Sequence, residues 1–143
     1  MRFKLVIAAL CVVLVVPAAA SARTVKYTGA VNNGGTISIA AKQKGKHGPI
    51  RIGTIKLVDV PAQCKEGVFP LGYATIGTFG LGRDLSFDFS ISDKGGAKLE
   101  MDAKLSRKAK NFKGYIRMFG KFPTPTGAIT GCETGQRGFV AKP

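Results

Sequence analysis

Apolar and polar residues alternate with a period of two almost everywhere after Arg23, and no stretch there carries a helical period. The clearest case sets Leu85, Phe87, Phe89 and Ile91 on one face and Ser86, Asp88, Ser90 and Ser92 on the other, as a half-buried strand requires. Leu99, Met101, Ala103 and Leu105 repeat the rule against Lys98, Glu100, Asp102 and Lys104. Between the two runs lies Asp93-Lys94-Gly95-Gly96, a compact turn whose glycines take positive φ without steric cost, so residues 85–105 form a predicted hairpin.

A second hairpin is predicted earlier, where Val25, Tyr27, Gly29 and Val31 alternate with polar neighbours and Asn32-Asn33-Gly34-Gly35 turns the chain into residues 36–41. Residues 42–48 are the polar loop that follows. In PIRIGTIKLVDV the apolar phase slips between Ile52 and Ile55, near Gly53-Thr54, and a β-bulge is the ordinary cause of such a slip. Past Cys64, glycines at 67, 72, 77, 80 and 82 predict a loop with one short strand around residues 74–79. Residues 106–110 make a turn into a strand with Phe112, Gly114, Ile116 and Met118 facing inward. Pro123 and Pro125 then break the chain, and residues 127–131 and 136–142 form a closing pair. About eight or nine short strands divided by turn signals predict an all-β fold, an antiparallel sandwich or barrel.

The first residues change the picture of where this domain works. Arg2 and Lys4 precede an apolar run from Leu5 to Val16, and Ala20-Ser21-Ala22 closes it, which together predict a secretory signal peptide at residues 1–22. The run is shorter than the roughly 18 residues of a spanning helix, and Leu10 ahead of Cys11 departs from a lipoprotein signal. Residues 23–143 are then a single all-β domain outside the cell or at its envelope. Cleavage removes Cys11 and leaves Cys64 and Cys132, whose thiols pair as a disulfide in an oxidising compartment. It also removes Arg2 and Lys4, which takes the formal charge from +14 to about +12.

That charge favours anionic partners, either an envelope polymer or a membrane surface. The candidate anion-binding residues fall in two groups: Lys42, Lys44, Lys46 and Arg51 beside His47, and Arg107, Lys108, Lys110 and Lys113 with Tyr115 and Arg117 on the same strand face. Nucleic acid is disfavoured, because single strands want exposed rings for base stacking and the chain has no Trp. The competing reading is that the charge only keeps an exported domain soluble. One merged basic face around Tyr115 would mark binding, and two opposite ones mere solubility.

Catalytic equipment is sparse. His47 is the only histidine, set among like charges, and no serine lies in a Gly-x-Ser-x-Gly elbow. Glu100 and Asp102 share a strand face with Lys98 and Lys104, while Asp84 and Asp88 stand about 13 Å apart by strand rise. No catalytic residue, cofactor or metal site is assigned; two cysteines and one histidine cannot furnish a zinc site. Two alternatives to a binding domain remain: a hydrolase built on Asp84, Asp88 or His47, and an inhibitor that presents the loop FPTPTG, residues 122–127.

Cys64, Phe87, Phe89, Phe112, Gly114, Gly127, Ile129, Gly131, Cys132, Thr134, Gly135, Phe139 and Ala141 form a pattern that resembles a group of small exported all-β proteins of unknown function, frequent in actinobacteria. Phe139 stands where that group commonly has tryptophan. The resemblance implies an exported β-sandwich or jelly-roll-like domain with a paired cysteine, and implies no activity.

Overall fold

The computed structural model describes residues 21–45, 47–108 and 110–143, apart from the Ile76 side chain. Residues 1–20 of the predicted signal peptide lie outside them. The described residues form nine antiparallel strands and no helix: β1 (Ala22–Val31), β2 (Thr36–Lys44), β3 (Ile50–Cys64), β4 (Gly67–Gly80), β5 (Ser86–Ser92), β6 (Ala97–Leu105), β7 (Phe112–Thr124), β8 (Gly127–Glu133) and β9 (Arg137–Lys142).

Consecutive strands pair in two meanders, β1 to β4 and β5 to β7, and β9 lies between β1 and β7 to join them. Both predicted hairpins are present, with Ala30 opposite Thr36 at the first turn and Ser92 opposite Lys98 at the second. The β7 edge that meets β9 along residues 112–116 meets β8 along residues 119–124. β8 also reaches β3 where Gln63 pairs with Glu133. The pairing path therefore returns on itself through β3, β2, β1, β9, β7 and β8, with β4 added beside β3 and β6 and β5 beside β7, so that among the described residues β4 and β5 each pair along one edge only.

Alternation places the core. Ile37 and Ile39 from β2, Leu99, Met101, Ala103 and Leu105 from β6, and Phe112, Ile116 and Met118 from β7 all face one buried cluster. The predicted slip in β3 is a bulge: Ile52 pairs with Ala41 and Thr54 with Ala40, so Gly53 is the extra residue. Ile52 and Ile55 are thereby both fully buried although three residues apart. A second slip follows at Asp59, whose φ of 55° lets Val60 return to the core after Leu57. The pattern alone did not expose it, because Val58 and Val60 are equally apolar.

Three expectations about the chain past Cys64 need correction. The glycine-rich segment after Cys64 is a full strand, β4, paired with β3 from Gly67 to Gly80. Pairing along a long neighbour overrides the weak strand preference of glycine, and the bulge beside Gly77 absorbs the irregularity. Pro123 does not end β7: it pairs with Ala128, past Gly120 where β6 no longer flanks that strand, so one edge is free for a residue without an N–H. Residues 127–133 and 137–142 do not pair with each other. They lie end to end on one β7 edge, and the break between them is where their other neighbour changes from β3 to β1.

Candidate functional site

The expected disulfide is present, joining Cys64 at the end of β3 to Cys132 in β8 across a sequence separation of 68. Both cysteines are buried, and the bond lies beside the single β3–β8 backbone pair, at the point where the pairing path closes. Its role is that of a staple.

The basic residues are organised by strand direction. β2, β4, β6 and β9 end where β1, β3, β5 and β7 begin, and backbone hydrogen bonds tie these ends together. Leu81 N–H donates to Ile50 O at 3.3 Å, Leu85 N–H to Gly82 O at 2.9 Å, and Leu105 N–H to Leu85 O at 2.9 Å. Ser106 N–H then donates to Asn111 O at 2.9 Å, and Ser106 Oγ accepts from the Lys110 and Asn111 N–H groups, which fixes the turn that carries Arg107, Lys108 and Lys110. On the other flank Pro143 shares a small groove with Arg23, Lys42, Gln43 and Ile50.

The two lysine-rich groups that are far apart in sequence thus occupy one rim of strand ends. Lys42 and Lys44 lie on β2 rather than in a loop, and Lys42 is directly opposite Arg51. Lys113 opens β7 directly opposite Lys104. Lys46 lies outside the described residues. Arg23, Arg83 and Lys142 belong to the same rim and went unnoticed in the sequence, since each stands alone in the chain and only topology gathers them. Among the described residues the one carboxylate side chain at these strand ends is Asp84. It accepts from Ser86 Oγ at 2.6 Å and lies 3.7 Å from Lys104 Nζ. The Ser86 hydroxyl, chiefly, holds the Asp84 carboxyl below its ordinary range.

Tyr115 and Arg117 are not part of this rim. They lie further along β7, on an outward face shared with four acids. Asp88 faces Asp102 across the strands, and Asp102 faces Tyr115. Arg117 is taken up by Glu133, at 2.9 Å for both of its donated hydrogen bonds, and by Glu100 at 3.6 Å. Its guanidinium also stacks over Phe119, 4.6 Å from the ring centroid. Tyr115 is half exposed beside an open groove of about 440 Å³ lined with Asp88, Glu100, Asp102 and Arg117. The basic residues at the strand ends therefore lie apart from Tyr115.

The residues of the alternative readings lie on different segments of the chain. His47 is exposed in the link between β2 and β3, Asp84 is bound as above, and Asp88 is on the outer face of β5. Phe122 is buried, and residues 122–127 form a tight hairpin between β7 and β8 rather than a presented loop. No group of three or more His, Cys, Asp or Glu among the described residues has the arrangement to hold a metal ion. No protein-family model, curated protein or solved structure matches this chain.

Proposed function

We propose that the protein is an exported, non-catalytic binding domain that holds an anionic envelope polymer on its basic rim. The observation that carries this reading is the pair of like-charged contacts built into that rim. Lys42 faces Arg51 and Lys104 faces Lys113 in direct cross-strand register. Like charges so placed oppose sheet formation, and a polyanion that shares its charge between them turns the cost into affinity. The rim is rich in lysine, a flexible point charge suited to a repeating anion without base-specific contacts. The exposed aromatic Tyr115 stands apart from it, which disfavours a stacking mode for nucleic acid.

Binding to long-chain polyphosphate, followed by titration at 50 and 300 mM salt, tests the reading. Affinity should fall steeply as salt rises, as it does wherever cations on a surface displace counterions. The double variant Lys108→Glu, Lys110→Glu should weaken binding by at least tenfold, while Arg117→Ala should leave it near that of the parent. Salt-insensitive binding, or equal loss in both variants, would refute the rim.

A further inference from the structure

The inner face shared by β1, β2 and β3 is apolar row by row until it nears the start of β1. Tyr27, Ile39 and Ile55 stand side by side across the three strands, and Val25, Ala41 and Ile52 form the next row. The row after that is Arg23, Gln43 and Ile50, so strand alternation carries a guanidinium and an amide onto the inner face. The core opens here into a pocket of about 220 Å³, with Tyr27 and Ala41 as its floor and the half-buried Val25 and Ile50 as its walls. Burial raises the Tyr27 hydroxyl above its ordinary pKa of 10.0, and the positive charge of Arg23 works against that rise, so the guanidinium is felt at the floor. Arg23 itself stays open to water, and its charge is not stranded in the core.

Among the described residues no Asp or Glu lines this pocket. Arg23 forms no ion pair with any described residue, Pro143 at the pocket edge included. Gln43 Nε2 donates to Gly48 O at 3.1 Å, which holds the amide at the edge. Lys42, the other cation lining the pocket, belongs to the outward set of β2 opposite Arg51, so Arg23 is the charge that the inner face offers. An apolar recess with one cation at its edge complements an organic anion with an apolar body. A guanidinium matches a carboxylate through two parallel hydrogen bonds. The volume lies below the range of about 300–1,000 Å³ typical of drug-sized ligands, which restricts the site to a compact one. We propose that this pocket binds a small apolar monocarboxylate, its carboxylate at Arg23 and its apolar body against Val25, Tyr27 and Ile50. Arg23 is shared with the rim proposed above, but the pocket does not rest on the polymer-binding reading.

Calorimetric titration of the purified protein with phenylacetate and with its neutral analogue 2-phenylethanol tests this. Phenylacetate should bind saturably, one per chain, and at least tenfold more tightly than the alcohol. Arg23→Gln should bring phenylacetate down to the affinity of the alcohol, and Arg23→Lys, which keeps the charge without the fork, should fall between Gln and the parent. Val25→Trp and Ile50→Trp each add bulk to a half-buried wall and should weaken phenylacetate by at least tenfold. Circular dichroism identifies any filled variant that fails to fold, and Arg23→Gln, at an exposed strand end, tests the site without touching the core. Absence of saturable phenylacetate binding, undiminished binding by Arg23→Gln, or binding that survives both fillings overturns the pocket. The double variant Lys108→Glu, Lys110→Glu separates the two proposals. It should keep phenylacetate while losing polyphosphate, and an equal loss of phenylacetate would mean that surface charge at large, not the pocket, holds the carboxylate.

Discussion

Arg117 holds Glu133 through both arms of its fork, Nε to Oε1 and Nη2 to Oε2, each at 2.9 Å. The two side chains brace the point where β8 ends, because Phe119 and Glu133 are already in register and Glu133 Oε1 also accepts from the Gly135 N–H at 3.0 Å. Hydrogen bonding to Arg117 is the main cause that holds the Glu133 carboxyl below its ordinary value of 4.5. A depressed carboxyl contributes stability that is present above the unfolded-state pKa and lost as pH falls through the folded one. Glu133→Gln should therefore melt below the parent at neutral pH, by an amount equivalent to about 1 kcal/mol or less for a pair this exposed. The two melting temperatures should converge as pH is lowered through and below the ordinary glutamate range. A constant gap across the pH series would remove the ionised pair as its cause.

Gly29 of β1 and Gly114 of β7 occupy inward positions of alternating strands, where a larger residue would ordinarily add to the core. A Cβ at Gly29 would run into the Val140 carbonyl of β9, and one at Gly114 into the Asp102 carbonyl of β6. Both obstacles are backbone, so relief requires a strand to move. Gly29→Ala and Gly114→Ala should each cost about 3 kcal/mol, the upper part of the range for overpacking. Gly127→Ala, with open space around the new Cβ, serves as a comparison that reports only the strain of its φ of 148°. Chemical denaturation midpoints order the three, and a Gly29 variant as stable as the parent would contradict the close approach.

Opening the Cys64–Cys132 bond should loosen one place before others. β8 meets β3 through one backbone pair, reinforced by the Lys65 N–H to Thr130 O bond at 3.0 Å and by Glu66, which accepts from Thr130 N–H and Oγ. A cross-link over a loop of this length contributes roughly 4 kcal/mol in the chain-entropy model. The Cys64→Ala, Cys132→Ala double variant should lose a large part of its stability. Its Lys65 and Thr130 amides should exchange hydrogen faster than those of the β6–β7 ladder. Uniform acceleration across both regions would mean that the bond supports the whole fold rather than this junction.

What the residue pattern revealed, and where it stopped, follows from how far each cause reaches along the chain. The hairpin of β5 and β6 was legible because its inward residues, Leu99, Met101, Ala103 and Leu105, are all buried and its turn chemistry is local. β4 was hidden because its stability comes from β3, and Gly72 and Gly77 say nothing about a neighbour. The basic rim was half visible: Lys108 and Lys110 cluster in sequence, whereas Arg23, Arg83 and Lys142 reach it only through the strand order. Arg117 was grouped with those cations because its true partner, Glu133, is 16 residues away on another strand. The period-two pattern reports which face a side chain takes, and it carries no information about what that face meets.

Thr134 is the buried polar residue that lets β8 pass into β9, and its sequence context, between Glu133 and Gly135, gave it no structural role. It is 3% exposed. Its Oγ1 accepts from the Met118 N–H at 2.9 Å and donates to Gly135 O at 2.8 Å, while its own N–H donates to Met118 O at 2.9 Å. The hydroxyl thus supplies β7 with the acceptor that neither β8 nor β9 offers at the break between them. Thr134→Val keeps the shape and leaves the Met118 N–H buried without a partner, a loss of about 1–3 kcal/mol. Thr134→Ser restores the oxygen and should recover most of that difference. Urea unfolding midpoints of the parent and the two variants give the order parent, Ser, Val. If Val matches the parent, the Met118 N–H finds another acceptor and the junction does not depend on the hydroxyl.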